Sequence, residues 1–141
     1  MNTVWYEYRH HVTFADTNTA DNVYFANYAM WMGKCRDMIM CEHYPQLKDY
    51  IKNNFGFSTE YLHIDFIQET FLFDEVIVKM TISKLTHTRV EFQCEFVNAE
   101  NNSLLAKGSQ AVVWVNPQRR TSFMPDDLYN KTCEFFNITP E

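Results

Sequence analysis

Residues 23–44, VYFANYAMWMGKCRDMIMCEHY, form one long segment with helical spacing, and strand-like segments dominate the chain beyond it. Tyr24, Tyr28, Trp31, Cys35 and Met38 recur at steps of three and four, the spacing of one helix face. Met30, Met32, Ile39 and Met40 make other sides apolar as well, as expected of a helix buried between a sheet and a second cover. Asp21 or Asn22 stands where a cap is expected and Pro45 where the helix must stop. Gly33 costs helix propensity and points to close packing.

The remaining segments read mostly as strands. Val4 to Phe14 is the first, with Val12 and Phe14 on one face. It ends in ADTNTADN, residues 15–22, whose Asp, Thr and Asn side chains bond readily to nearby backbone. Residues 47–56 read as a short helical turn and a loop, followed by a strand from Thr59 to Ile67. Residues 74–85 alternate Val76, Val78, Met80 and Ile82 against Lys79, Thr81 and Ser83. Residues 89–97 set Val90, Phe92, Cys94 and Phe96 against Arg89, Glu91, Gln93 and Glu95. Residues 104–115 form the last strand, closed by Asn116-Pro117, and 125–136 form a terminal helix with Asp126 and Asp127 near its positive end. Strand, long helix, then four strands joined mainly by hairpins predicts a single α+β domain over 1–141. The helix must cover one sheet face; a second subunit is expected to cover the other, giving a homodimer or homotetramer.

Composition narrows the function classes. Apolar residues make up 46% and aromatics 16%, enough for a core with apolar surface to spare. The net charge of -6 and the single basic doublet, Arg119-Arg120, argue against a nucleic-acid binder. No apolar run approaches membrane-spanning length, and the opening MNTVWYEYRHHV is polar, so a cytoplasmic protein is expected. Its cysteines, Cys35, Cys41, Cys94 and Cys133, are then expected to be reduced thiols. No CxxC and no histidine cluster has metal-ligand spacing, so no metal and no cofactor are expected.

Residues 12–36, VTFADTNTADNVYFANYAMWMGKCR, resemble the opening motif of the 4-hydroxybenzoyl-CoA thioesterase-like branch of the hot-dog superfamily. There a strand ends in an Asp-x-Asp-x-x-Gly-type segment, and an aromatic-rich helix follows. The resemblance implies a hot-dog fold: an antiparallel five-stranded sheet wrapped around one long helix, with a short C-terminal helix. The family's catalytic carboxylate is the second acid of its pair, a position held here by Asn18, and Asp21 takes the usual glycine position. An amide cannot serve as a carboxylate nucleophile or general base. Thr17-Asn18, Asn22-Val23-Tyr24 and Cys35-Arg36-Asp37 are more similar to the enediyne-polyketide thioesterase subgroup. That similarity implies that Asn18 and Arg36 position thioester and water without a covalent intermediate, with Tyr28 as a nearby pocket residue.

Thioester hydrolysis needs a placed water and donors aimed at the developing oxyanion. Asn18 can hold water or carbonyl; its structural alternative is a cap. Asp16 is the candidate for water activation, or for orienting the loop. Asn22, Val23 and Tyr24 are expected to offer unpaired backbone N–H groups at the helix start. Arg36 lies about three and a half turns further on, so it reaches the site across the fold or across an interface, or only pairs with Asp37 or Glu42. Thr59 is a candidate substrate contact; His63 and Glu69 are weaker candidates for acid–base work. Tyr24, Phe25, Tyr28 and Trp31 either line an acyl tunnel or pack as core.

The expected activity is therefore hydrolysis of an acyl thioester, releasing a polyketide or fatty acyl chain from the phosphopantetheine of an acyl carrier protein. The alternatives are an acyl-CoA thioesterase and a non-catalytic acyl-binding subunit; a dehydratase is disfavoured because the helix carries no matching His and acid.

Overall fold

The computed structural model describes residues 3–19 and 21–141; Met1, Asn2 and Ala20, the last within the turn expected over 15–22, lie outside the described residues. The chain runs β1 (Tyr6–His11), a 3₁₀ turn (Phe14–Asp16), α1 (Ala26–His43), α2 (Leu47–Lys52), β2 (Gly56–Phe66), β3 (Glu75–Leu85), β4 (Arg89–Asn98), β5 (Leu104–Val115) and α3 (Asp126–Phe136). The five strands form one antiparallel sheet in the order β1-β3-β4-β5-β2, which curls around α1 as a hot-dog fold does. β3, β4 and β5 are joined by hairpins as expected. β2 instead pairs with β5, so the chain crosses the sheet between β2 and β3 and leaves β2 as an edge.

α1 buries Tyr28, Trp31, Met32, Cys35 and Ile39 against Val78, Met80, Cys94 and Phe96 of the sheet. Its other apolar positions differ: Met40 is partly buried against the core, but Met30 is 70% exposed, so the helix is not covered on every side that its sequence makes apolar. The close approach of helix to sheet occurs at Gly108 rather than Gly33. A Cβ at Gly108 would lie 3.0 Å from Met32 Sδ and 3.2 Å from the His63 carbonyl oxygen, whereas one at Gly33 would meet only Arg36 Nη2, at 3.9 Å.

The first strand is shorter than its alternation suggests. Val12 is fully buried, but Phe14 is 73% exposed and does not share its face. The Asp16 carboxylate accepts from the Thr13 backbone N–H at 2.9 Å and turns the chain into the 3₁₀ turn before a strand can continue. α1 likewise starts at Ala26, three residues later than the spacing suggests, and neither Asp21 nor Asn22 caps it. Asp21 has a φ of 71°, and Asn22 and Val23 sit in short bridges to Phe71 and Thr17.

The outward sheet face carries Glu7, Lys79, Glu95, Lys107 and Asp65 in register, one charge on each strand with alternating sign. Such a row is at home in water, whereas Ile77 and Val97 beside it on the same face are apolar. Exposed apolar groups gather elsewhere, at Tyr61, Leu62, Phe66 and Ile67 on and beyond the β2 edge, and at Phe14, Tyr24, Phe25 and Phe73 in the loops beside it.

Candidate active site

The loop from Thr13 to Phe25 is held by its own polar groups. Asp16 Oδ2 accepts from Thr13 N–H and Thr13 Oγ1, and lies 2.9 Å from His10 Nε2 on β1. Burial alone would raise the Asp16 carboxyl, but the bonds from Thr13 and His10 outweigh it and hold the group below the usual carboxylate range. His10 in turn rests on the Trp31 ring, with centroids 4.8 Å apart. The Asp16 carbonyl accepts from Tyr24 N–H at 2.9 Å and from Asn27 Nδ2 at 2.7 Å, tying the turn to the first turn of α1. Asp16 is thus held through Oδ2 and its carbonyl, which suits the orienting role, while Oδ1 has no partner among the described residues.

Asn18 closes the tip of the loop: its N–H donates to the Asn22 carbonyl at 2.7 Å, and its carbonyl accepts from Asp21 N–H at 3.1 Å. The left-handed φ of 71° at Asp21 accounts for glycine at this position in the family motif, and Asp is among the side chains that tolerate it. The Asn18 side chain faces solvent and donates to Asn22 Oδ1 at 3.3 Å; Asn22 Nδ2 donates onward to Glu69 Oε1 at 3.1 Å. Val23 N–H donates to the Thr70 carbonyl at 2.8 Å. The expectation of free N–H groups at Val23 and Tyr24 is therefore corrected, because both are paired before the helix begins. Asn22 N–H, also expected to be free, has no partner among the described residues, nor do Phe25 and Ala26 N–H.

Tyr28 is buried, and its hydroxyl lies 2.6 Å from Thr70 Oγ1, itself 1% exposed. Burial pushes the Tyr28 phenol up, against the opposing effect of the Thr70 bond. Asn22, Val23, Phe25, Tyr28, Phe66, Glu69 and Thr70 enclose an open cleft of about 340 Å³.

Arg36 lies elsewhere. Ten residues separate it from the start of α1, about 15 Å along the helix axis. Its guanidinium is 3.6 Å from Asp37 Oδ1, the pairing its structural alternative anticipates, and it stands at the rim of a second, more enclosed cavity of about 200 Å³. Ile39, Met40, Phe57, Val90, Phe92 and Leu128 are among the residues that line this cavity, between α1, α2, α3 and the sheet. None of Tyr24, Phe25, Tyr28 or Trp31 lines it; Phe25 and Tyr28 line the open cleft instead, and Trp31 packs in the core. Thr59 accepts a long 3.4 Å bond from Gln110 Nε2 beside a bulge in β2, and touches neither cavity. His63 pairs with Asp65 on the outer face of β2.

One protomer thus assembles Asp16, Asn18, Asn22, Val23 and Tyr28 at one end of α1 and leaves Arg36 and Thr59 apart. The residues that complete the loop end, His10, Asn27, Glu69 and Thr70, carry no motif. Only the pairing of segments 22–23 and 70–71 brings the last two into place.

Residues 12–132 match the model of the thioesterase-like superfamily, so the chain belongs to that superfamily and is a thioester hydrolase. The dynemicin thioesterase, a protein described by induced fit and allosteric effects on polyene binding, superposes with a TM-score of 0.86 at 31% identity, covering 94% of this chain and 97% of its own. A 1,4-dihydroxy-2-naphthoyl-CoA thioesterase from Synechocystis gives a TM-score of 0.86 at 23% identity over 93% of this chain and 97% of its own. A Staphylococcus aureus protein solved in complex with CoA gives 0.89 at 17% identity over 100% of this chain and 89% of its own. No curated protein sequence matches the chain. Among the described residues, no helix is long and apolar enough to cross a membrane.

Proposed function

We propose that this thioesterase hydrolyses acyl thioesters whose acyl part is a plain hydrocarbon chain, with coenzyme A as the leaving group. The observation that carries the acyl half is the composition of the enclosed cavity. Its polar lining residues are Arg36 and Asp37 at the rim and Thr132, whose hydroxyl already donates to the Leu128 carbonyl at 2.8 Å. A hydroxylated aromatic acyl group buried there would leave its hydroxyls unpaired, at about 1–3 kcal/mol each, whereas a hydrocarbon gives up only contact with water. Support for the handle comes from structural neighbours named for CoA thioesters or solved with CoA. A second reading, release of a polyketide or fatty acyl chain from an acyl carrier protein, draws on the 31% identity with the dynemicin thioesterase.

In this reading Asn18 and Arg36 position water and thioester, Asp16 holds the loop, and Tyr28 fixes it to the segment carrying Glu69. The acyl carbon gains a bond to the water oxygen, the carbon–sulfur bond breaks, and the proton ends on the released thiol. No carboxylate nucleophile takes part. The reaction is placed in the cytoplasm, in keeping with four unpaired cysteines.

The active form is a homo-oligomer. Its support is the β2 edge, an 11-residue strand paired on one side only, whose Tyr61 and Leu62 are exposed. An edge of that length flanked by exposed Phe66 and Ile67 invites pairing with a second copy. Thiol release tests the proposal, using straight-chain and hydroxyaryl acyl-CoA esters and matched acyl-carrier-protein esters. Preference for straight-chain acyl-CoA, lost in Asn18→Ala and Arg36→Ala, is expected. Faster turnover of carrier-protein esters would favour the second reading. Binding without hydrolysis across the panel would defeat both.

A further inference from the structure

Asn22 joins two loops that are distant in sequence, and the carboxylate of Glu69 sets the direction of the join. A carboxylate only accepts, so the Asn22 amide must turn Nδ2 toward Glu69 Oε1, at 3.1 Å. Its Oδ1 is then left facing Asn18, where it accepts from Asn18 Nδ2 at 3.3 Å. The Asn18 amide is thereby oriented as well: Nδ2 points into the protein and Oδ1 points away from it. Asn18 cannot undo this by swivelling its backbone, because its N–H and carbonyl both close the loop onto Asn22 and Asp21. Asn18 is exposed, and its Oδ1 accepts from no group among the described residues. Asn22 and Glu69 both line the cleft beside it.

We propose that Glu69 is a positioning residue, acting through Asn22 to present Asn18 as a hydrogen-bond acceptor, so that Asn18 holds the attacking water rather than polarising the thioester carbonyl. This rests on the thioesterase reading with Asn18 at the reacting centre. Asn18 Oδ1 accepts a hydrogen bond from the water and does not take its proton. The water oxygen bonds to the acyl carbon, the carbon–sulfur bond breaks, and the proton leaves on the thiol. Reversing the amide would turn an N–H toward the water and misdirect its lone pair.

The test is a donor–acceptor swap in the full-length chain, assayed by thiol release from decanoyl-CoA beside Asn18→Ala. Asn22→Asp still offers Asn18 Nδ2 an acceptor but sets its carboxylate against Glu69, so it breaks the link that holds position 22 in place and is expected to lower kcat about tenfold with KM within about twofold. Adding Glu69→Gln restores a donor–acceptor pair, because the Gln amide can donate to Asp at position 22, and is expected to recover most of the lost kcat. A merely structural role would move the thermal midpoint and KM along with kcat in both variants, so midpoint and KM are measured beside turnover and are expected to stay near wild type. Failure of the double variant to recover, while Asn18→Ala remains slow, would overturn the relay alone. Asn18→Ala turning over at the wild-type rate, or a wild type that hydrolyses nothing, would overturn the relay together with the reading of the site. Should Asn22→Asp fail to fold, Glu69→Ala carries the same test. A fall in kcat that adds nothing to Asn18→Ala supports the relay, and an additive fall overturns it.

Discussion

Replacing Tyr28 with Phe keeps a ring that packs against Trp31, Phe66 and Phe96 at centroid distances of 5.1, 5.2 and 5.1 Å, and removes only the hydroxyl. That hydroxyl meets Thr70 Oγ1 at 2.6 Å, where Tyr28 is 3% and Thr70 1% exposed. Water cannot replace the lost partner, so Tyr28→Phe leaves a buried threonine hydroxyl unpaired, at a cost of about 2 kcal/mol. For a chain of this length that lowers the thermal midpoint by roughly 6 °C. Thr70→Val leaves the phenol unpaired and is expected to cost a similar amount. The double variant removes both polar groups and keeps both shapes, so its loss should stay below about 1 kcal/mol rather than reach the additive value of about 4. Urea unfolding followed by tryptophan fluorescence measures all four proteins, with Trp31 beside the site as reporter. A double variant as unstable as the sum of the singles would refute the account of an isolated buried pair. The same proteins separate structure from chemistry at Tyr28. If the hydroxyl only fixes the loop, the double variant regains turnover along with stability; if it touches the reacting atoms, turnover stays low in both Phe variants.

Three further perturbations test other parts of the structure. Asp16 is held below the ordinary carboxylate range, so its contribution is present above the unfolded value and is lost as pH falls below about 4; Asp16→Asn should flatten that part of the acid-unfolding profile while lowering stability at pH 7. Gly108→Ala would set a Cβ 3.0 Å from Met32 Sδ and 3.2 Å from a backbone oxygen of the neighbouring strand; Met32 can move but the strand cannot, so a loss of about 1–2 kcal/mol is expected in urea titration. Ile82→Phe adds a ring at the lining of the enclosed cavity and should slow long straight-chain acyl-CoA esters by about tenfold more than short ones in a chain-length series, whereas a uniform change would remove the cavity from the acyl path.

Period and punctuation carried much of the fold. The alternation in 74–85 and 89–97 falls on observed strands, where Val76, Val78, Met80, Val90, Phe92, Cys94 and Phe96 turn to the core, the condition that writes period two into a sequence. The limits of β1 and α1 were not legible, since a single carboxylate, Asp16, folds the chain against strand propensity, and bridges to the 70–71 segment hold Asn22 and Val23 out of the helix. The β2–β5 pairing was hidden for a similar reason, as β2 reads locally like the start of a hairpin with β3. Asp16, Asn18, Asn22 and Tyr28 were found together because they share one motif. Glu69, weighed from the sequence only as a weaker acid–base candidate, and Thr70, not weighed at all, join them through register. The aromatic spacing of 24–31 located a buried face at Tyr28 and Trp31 but gave no sign of the enclosed cavity, because a cavity forms where side chains fail to meet, a property of three helices and a sheet together.

The separation of Asn18 from Arg36 has a consequence for assembly. Both are assigned to one thioester, yet about 15 Å of α1 lies between the loop end and the arginine. In the proposed homo-oligomer, a centre that uses both groups would draw Asn18 from one copy and Arg36 from its partner across a two-fold interface. Subunit mixing distinguishes this from a centre built within one chain. Asn18→Ala and Arg36→Ala are refolded together at equal amounts, so that about half of the dimers carry one of each. In a shared-site dimer every such hybrid holds one centre with both native groups and one with neither, and activity should rise to about a quarter of wild type from near zero in each parent. If both groups came from the same chain, every centre in every hybrid would lack one of them, and mixing would restore nothing. An absence of recovery, with hybrids shown to form by differential tagging, would assign Arg36 to its local pair with Asp37 and leave the chemistry to the Asn18 end of the helix.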